Sequence, residues 1–265
     1  MGLFSIFEFR AAQRLLSCSI ASANAARRRA MKPAIRIAAT ISQTATAIAA
    51  GLPRLPSSAV IDILLRRPPR TRAPGPLPRT GDPIADITAA LLDLDSSYLA
   101  VHGPPGTGKT HTAAAIIATL VNEHRWRIGV VAQSHAVVEN LFRDVIGAGV
   151  DPSRVAKKKH GTGGAWTEIS EKDYPAFIGA GDGCVIGGTA WDFANDARVP
   201  RGALDLLVIE EAGQFCLANT IAVAPASTNL LLLGDPQQLP QVSQGTHPEP
   251  VDASALGWLV DGSHT

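Results

Sequence analysis

The sequence predicts an α/β fold with a mainly parallel sheet flanked by helices. Two observations carry this expectation. Short Val/Ile/Leu-rich runs, RIGVV (127–131), LDLLVI (204–209) and LLLL (230–233), alternate with segments of helical period. Near-continuous apolar strands of this kind are buried on both faces, as parallel strands covered by helices are. A fourth run, SYLAVH (97–102), leads into a Gly-rich turn and then an Ala/Ile-rich segment.

Taken in order, the elements read as follows. Ser97 to His102 is a strand, and Thr110 to Asn122 a helix. Arg127 to Gln133 is a buried strand. Ala136 to Val145 is a helix with Val137, Leu141 and Val145 on one face. Cys184 to Ile186 is a weaker strand. Leu204 to Ile209 and Leu230 to Leu233 are strong ones. Residues 151–182, with Lys157, Lys158, Lys159 and a Gly-rich stretch, break this rhythm and read as a small insertion.

The chain has 265 residues, 24 Lys plus Arg and 23 Asp plus Glu. The near-neutral total hides an asymmetry. Residues 1–80 carry thirteen basic and two acidic residues, so the remainder is net acidic. This predicts two bodies: a basic, poorly structured N-terminal extension over 1–65, helical or disordered, and an ordered domain over 84–248. RRPPRTRAPGPLPRTGDP (66–83) reads as a linker, because its proline density excludes regular helix or sheet. Residues 249–265 read as a tail. The extension has the Arg-rich, acid-poor composition of a transit peptide, but an unstructured segment is the simpler reading. Three cysteines without metal-ligand spacing point to a reducing, cytoplasmic setting and to no metal cluster. No apolar run is long enough to span a membrane.

GPPGTGKT, residues 103–110, matches the phosphate-cradling loop G-x-x-x-x-G-K-[ST] between a strand and a helix. The glycines at 103, 106 and 108 let the backbone turn its N–H groups inward, and Pro104, Pro105 and Thr107 complete the loop. Lys109 places a positive charge on the β- and γ-phosphates, and the Thr110 hydroxyl ligates Mg²⁺. The strand LDLLVI ends in Glu210 and Glu211. Paired carboxylates suit a metal and a nucleophile: Glu210 holds Mg²⁺ directly or through water, and Glu211 orients or deprotonates the attacking water. LLLLGDPQQLPQ (230–241) ends a buried strand in a turn carrying Asp235, Gln237 and Gln238. A Gln there can hydrogen-bond a γ-phosphate.

These blocks together resemble the first RecA-like domain of superfamily 1 DNA or RNA helicases. The resemblance is greatest to the nonsense-decay-factor-like group, including helicases fused to RecB-like nucleases. GPPGTGKT resembles motif I, VVAQSHAVVENL (130–141) motif Ia, VIEEAGQ (208–214) motif II and LLGDPQQLPQ motif III. VIGGTAW (185–191) resembles the segment that touches the nucleic-acid backbone. The resemblance implies an ATP hydrolase using ATP and Mg²⁺. It implies that Gln214 and Gln238 link the γ-phosphate to nucleic-acid binding. Ser134, His135 and Thr189 would contact a single strand of DNA or RNA.

Three departures from the family pattern matter. Glu210 stands where the family has Asp, which predicts weakened hydrolysis. The glutamine motif that reads adenine is not visible in 82–96. Lys157 to Lys159 and the rings of Trp166 and Trp191 remain open between nucleic-acid contact and ordinary solvated or packing roles. After motif III nothing resembles a second RecA-like domain with its arginine fingers. The chain therefore reads as truncated, weak or inactive by itself, and completed by missing sequence or another chain. The alternative is a degenerate NTP-binding module without helicase activity. A GTPase or small kinase is disfavoured, since neither an N/TKxD element nor an arginine lid is found.

Overall fold

The computed structural model describes residues 32–52, 54–104, 106–161, 163–238 and 250–260, with side chains from residue 37. Expectations for residues 1–31, Pro105, 239–249 and 261–265 lie outside the described residues.

Helix α1 (Lys32–Gly51) is followed by the short α2 (Ala59–Leu64), capped by Ser58, and by α3 (Pro83–Asp93). The Asp82 carboxylate accepts from Ile84 N and Ala85 N, and Pro83 occupies the first helical position. There follow β1 (Tyr98–His102), α4 (Lys109–Asn122), β2 (Arg127–Val131), α5 (His135–Gly147), β3 (Val155–Lys158) and β4 (Thr167–Ile169). The chain continues through α6 (Tyr174–Ile178), β5 (Cys184–Gly188), α7 (Ala190–Phe193), β6 (Leu204–Ile209), α8 (Leu217–Val223), β7 (Ser227–Gly234) and α9 (Ala255–Val260).

The seven strands form one sheet in the order β1-β7-β6-β2-β5-β3-β4, and every neighbouring pair is parallel. Each face is covered. One core holds Ile116, Ile117 and Leu120 of α4 with Leu141 and Phe142 of α5 against Val130, Val208 and Leu231. The other holds Ile209, Leu230 and Leu232 against Ile221 of α8 and residues of α1 and α2. The expected mainly parallel α/β architecture is present. Among the described residues, no helix is long and apolar enough to cross a membrane.

Three segments differ from the sequence expectation. Residues 37–64 do not stand apart from the domain. Ile37, Ile41, Ala45 and Ile48 recur at helical spacing, are buried, and pack in the same cluster as the sheet. The Pro/Arg-rich linker is pinned. Arg70 forms an ion pair with the buried Asp62 at 2.9 Å, and Asp62 also accepts from Ser97 Oγ. The insertion 151–182 supplies two strands of the sheet, and Lys157 within it is buried against Glu139. A buried lysine needs a partner, and the α5 carboxylate provides one. Trp166 is buried and edge-on to Phe142, so it is a packing residue; Trp191 is exposed.

Candidate nucleotide site and nucleic-acid edge

All strands point the same way, so their C-terminal ends form one rim, where ligands bind in open α/β sheets. The strand order decides what meets there. β1, β7 and β6 are adjacent, which brings the loop after His102, the turn after Gly234 and the pair after Ile209 together. β2, β5 and β3 follow, so Ser134, Thr189 and Lys159 lie along the other half of the same rim.

The first half encloses a cavity of about 380 Å³. Gly106, Gly108, Lys109, Thr110, Glu210, Glu211, Gly234, Asp235 and Gln238 are among its lining residues. Gly106 and Gly108 have φ of 81° and 76°, the left-handed region that the tight turn into α4 requires. Gly103 N donates to Gly234 O at 3.2 Å, tying the loop to the end of β7. Lys109 Nζ donates to the carbonyls of Gly103 and Pro104 at 2.6 and 2.8 Å, so its charge is held within the loop.

Thr110 Oγ1 donates to Glu210 Oε1 at 3.0 Å. Glu210 is only 7% exposed, and its Oε2 is buried with no hydrogen-bond partner. Burial pushes the Glu210 carboxyl up to about 6. The Thr110 hydrogen bond opposes the shift and the Glu211 charge adds to it. An unpartnered buried carboxylate oxygen beside a hydroxyl is a donor set suited to a hard divalent cation. Glu211 has φ 56°, unusual for a residue with a side chain, and lines the cavity.

Two glycines bring the loops after β6 and β7 into contact. A Cβ on Gly213 would lie 1.9 Å from Asp235 O, and one on Gly234 would lie 2.8 Å from Gly213 N. Ala212 N donates to Leu233 O at 2.7 Å. This closeness lets Gln214 Nε2 reach Gln238 Oε1 at 3.0 Å. Gln214 O accepts in turn from Gln133 Nε2 at 3.0 Å. Sequence reasoning did not find Gln133; it sits in a motif-like run, but nothing local marks its partner 81 residues away.

On the second half of the rim, Ser134 caps α5, its hydroxyl accepting from Val137 N at 3.4 Å. Thr189 and Asp192 form a capping box: Asp192 Oδ2 accepts from Thr189 N at 2.8 Å and from Thr189 Oγ1 at 3.1 Å. Asp192 is buried and paired with Arg198 and Lys158. Sequence reasoning also missed it. His135 stacks on His160 with ring centroids 4.1 Å apart. Burial first, then the Lys157 charge, lower the His135 pKa. Lys158 pairs with Glu171, and the exposed Lys159 with Glu168, so neither is an uncommitted charge.

A family model described as an AAA domain matches residues 85–255. The chain belongs to the AAA domain family. This AAA domain is 24% identical over 170 residues to the DNA replication ATP-dependent helicase/nuclease DNA2 of Saccharomyces cerevisiae. That match takes in 62% of the chain but 11% of DNA2, so the AAA domain corresponds to a small part of that protein. Among solved structures it is similar to arterivirus nonstructural protein 10, a helicase, in complex with DNA. The identity is 18% and the TM-score 0.38, over 61% of this chain and 32% of the viral one.

Proposed function

We propose that this chain is the ATP-binding motor domain of a superfamily 1 helicase of the nonsense-decay-factor-like group. It would couple ATP hydrolysis to single-stranded nucleic-acid binding, and to unwinding when a second RecA-like domain completes it. One observation carries the reading: Lys109, Thr110, Glu210, Glu211 and Gln238 converge on one cavity, with Gln238 already bonded to Gln214. The likeness to a stretch of DNA2, named as an ATP-dependent helicase/nuclease, supports it.

The chain's own groups then divide the work. The N–H groups of Gly106 to Thr110 would hold the phosphates at the α4 N-terminus. Lys109 exchanges its two carbonyl partners for phosphate oxygens. Thr110 Oγ1 and Glu210 would hold Mg²⁺, whose charge would offset that of the terminal phosphates. Glu211 orients the attacking water and accepts its proton. Ser134, His135 and Thr189 contact the sugar-phosphate backbone of the strand, positioning it without reading its bases.

The test is ATP turnover with and without an oligothymidylate, in this chain and in a longer parent carrying a second RecA-like domain. Stimulation that disappears in Lys109→Ala is expected. A parent that turns over ATP without responding to single strands would refute the helicase reading. Glu210 favours one second reading, a module that binds nucleotide without hydrolysing it. Its extra methylene moves the carboxylate by about a bond length in a site where Mg²⁺ wants near-ideal geometry. Tight Mg·ATP binding with no turnover, unrepaired by Glu210→Asp, would establish that module. Substantial turnover by the isolated chain would exclude it.

A further inference from the structure

We infer that Gln133 is a positioning residue that carries the state of the nucleotide cavity to the first turn of α5. The inference rests on the nucleotide-binding reading above and adds a residue to which that reading gives no role. Three glutamines form a path whose two hydrogen bonds meet at Gln214, one at its side-chain amide and one at its main-chain carbonyl. Gln238 lines the cavity, Gln214 Nε2 donates to its Oε1, and Gln133 Nε2 donates to the Gln214 carbonyl, both bonds at 3.0 Å. Gln133 directly precedes Ser134, the cap of α5.

The polarity of the path matters. Gln238 accepts from Gln214 with its oxygen, so its other end, Nε2, can only donate. A phosphate oxygen only accepts, so the relay presents the cavity with the end of the amide that a terminal phosphate can use. The main chain at Gln214 is itself fixed by a 2.8 Å bond from its N–H to Glu211 O. A shift of Gln238 toward a phosphate therefore pulls on a short, bonded turn and not on a free loop. The receiving end is loosely held. Val137 N reaches Ser134 Oγ at 3.4 Å and Val138 N reaches Ser134 O at 3.5 Å, long bonds for a helix start. A weakly bonded first turn lies at the low end of local stability, where a small pull changes its opening.

Gln133 is not among the residues that line the cavity, so its removal is expected to leave nucleotide affinity intact while uncoupling α5. The experiment is hydrogen exchange of the whole chain with and without saturating Mg·AMP-PNP, comparing wild type, Gln133→Ala and the near-isosteric Gln133→Glu, which loses the donor. Protection of the 106–112 segment in every protein reports that nucleotide is bound. In wild type, exchange of the 134–138 amides slows about fivefold, the lower end of typical coupling between sites. In both variants that response is lost, while nucleotide affinity stays within about twofold of wild type.

Two results overturn the inference. One is a wild type whose 106–112 segment is protected while 134–138 does not respond. The other is a Gln133→Ala protein that responds as wild type does. A wild type with no protection at 106–112 removes the nucleotide reading and this inference with it. The readout uses nucleotide alone, so it stands apart from whether the chain binds nucleic acid.

Discussion

Gly213 and Asp235 meet backbone to backbone, leaving no room for a side chain: a Cβ at 213 would sit 1.9 Å from the Asp235 carbonyl oxygen. The contact sets the separation of the loops that carry Gln214 and Gln238. The obstructing atom is main chain and cannot rotate away. Gly213→Ala is therefore expected to cost about 3 kcal/mol, the upper end for overpacking, and to part the two glutamines. Gly147→Ala is the matched control. It has open space around it near the end of α5 and is expected to leave stability unchanged or raise it by about 0.5 kcal/mol. Urea denaturation separates the two, and nucleotide titration checks that only Gly213→Ala weakens the cavity.

Glu210 makes the nucleotide-free protein less stable as its carboxylate ionises. Burial pushes its pKa up to about 6 in the fold, against an ordinary value of 4.5. The folded state thus holds the proton more tightly than the unfolded chain. The stabilisation is complete below about 4.5 and is lost as pH rises through 6. The loss amounts to about 2 kcal/mol. Glu210→Gln does not titrate and keeps an oxygen for Thr110. In chelated, nucleotide-free buffer, its unfolding free energy should match wild type near pH 4.5. It should exceed wild type by about 2 kcal/mol at pH 8. Equal stability at both pH values would contradict the assigned burial.

Lys157 and Glu139 form a pair in which the lysine side chain is 1% exposed and the glutamate 18%. Removing only the carboxylate strands a buried ammonium. Glu139→Ala is expected to destabilise the fold by about 3 kcal/mol, whereas the double change Glu139→Leu with Lys157→Met recovers most of the loss. Chemical denaturation of Glu139→Leu, Lys157→Met and the double variant measures the coupling.

Helices α1 and α2 cover one face of the sheet. A chain beginning at residue 66 would uncover the partners of Ile41, Ile48, Val60, Ile61 and Ile63, each worth about 1.5–3 kcal/mol when buried. Such a chain is expected to aggregate or lose cooperative unfolding. Soluble yield and a thermal melt against the full chain test this.

The parallel sheet and the loop at 103–110 were legible because their signals are local. A short Val/Leu run or an eight-residue loop carries its meaning within one window. What escaped depends on pairing across the fold. The charge count over 1–80 concealed α1, since Arg54 is the one basic residue between 37 and 64. The spacing of Ile37, Ile41, Ala45 and Ile48 was in view and marks an amphipathic helix. In the sequence Lys157 reads as part of a charge run, although Val155 and Ala156 begin a strand that carries it into the sheet. Gln133 gives no signal, because its partner is brought close by the strand order. Asp192 does carry one, since Thr189 and Asp192 stand at capping-box spacing. The left-handed backbone at Glu211 follows from the tight approach of its loop to β7, which no single residue type announces.

The pairing of β1 has a consequence for biosynthesis. Among the described residues, the strand that launches the loop at 103–110 lies at the sheet edge and pairs with β7, with Tyr98 beside Leu230. On a ribosome working at about 5–20 residues per second, β1 emerges on the order of ten seconds before the strand it needs. Until then its apolar side chains and backbone edge have no sheet to join. A nascent chain stalled before Gly234 would hold the full 103–110 loop and yet lack the cavity that Gly234, Asp235 and Gln238 help to line. Ligand capture by ribosome-bound chains should therefore switch on at a length set by the far end of the domain.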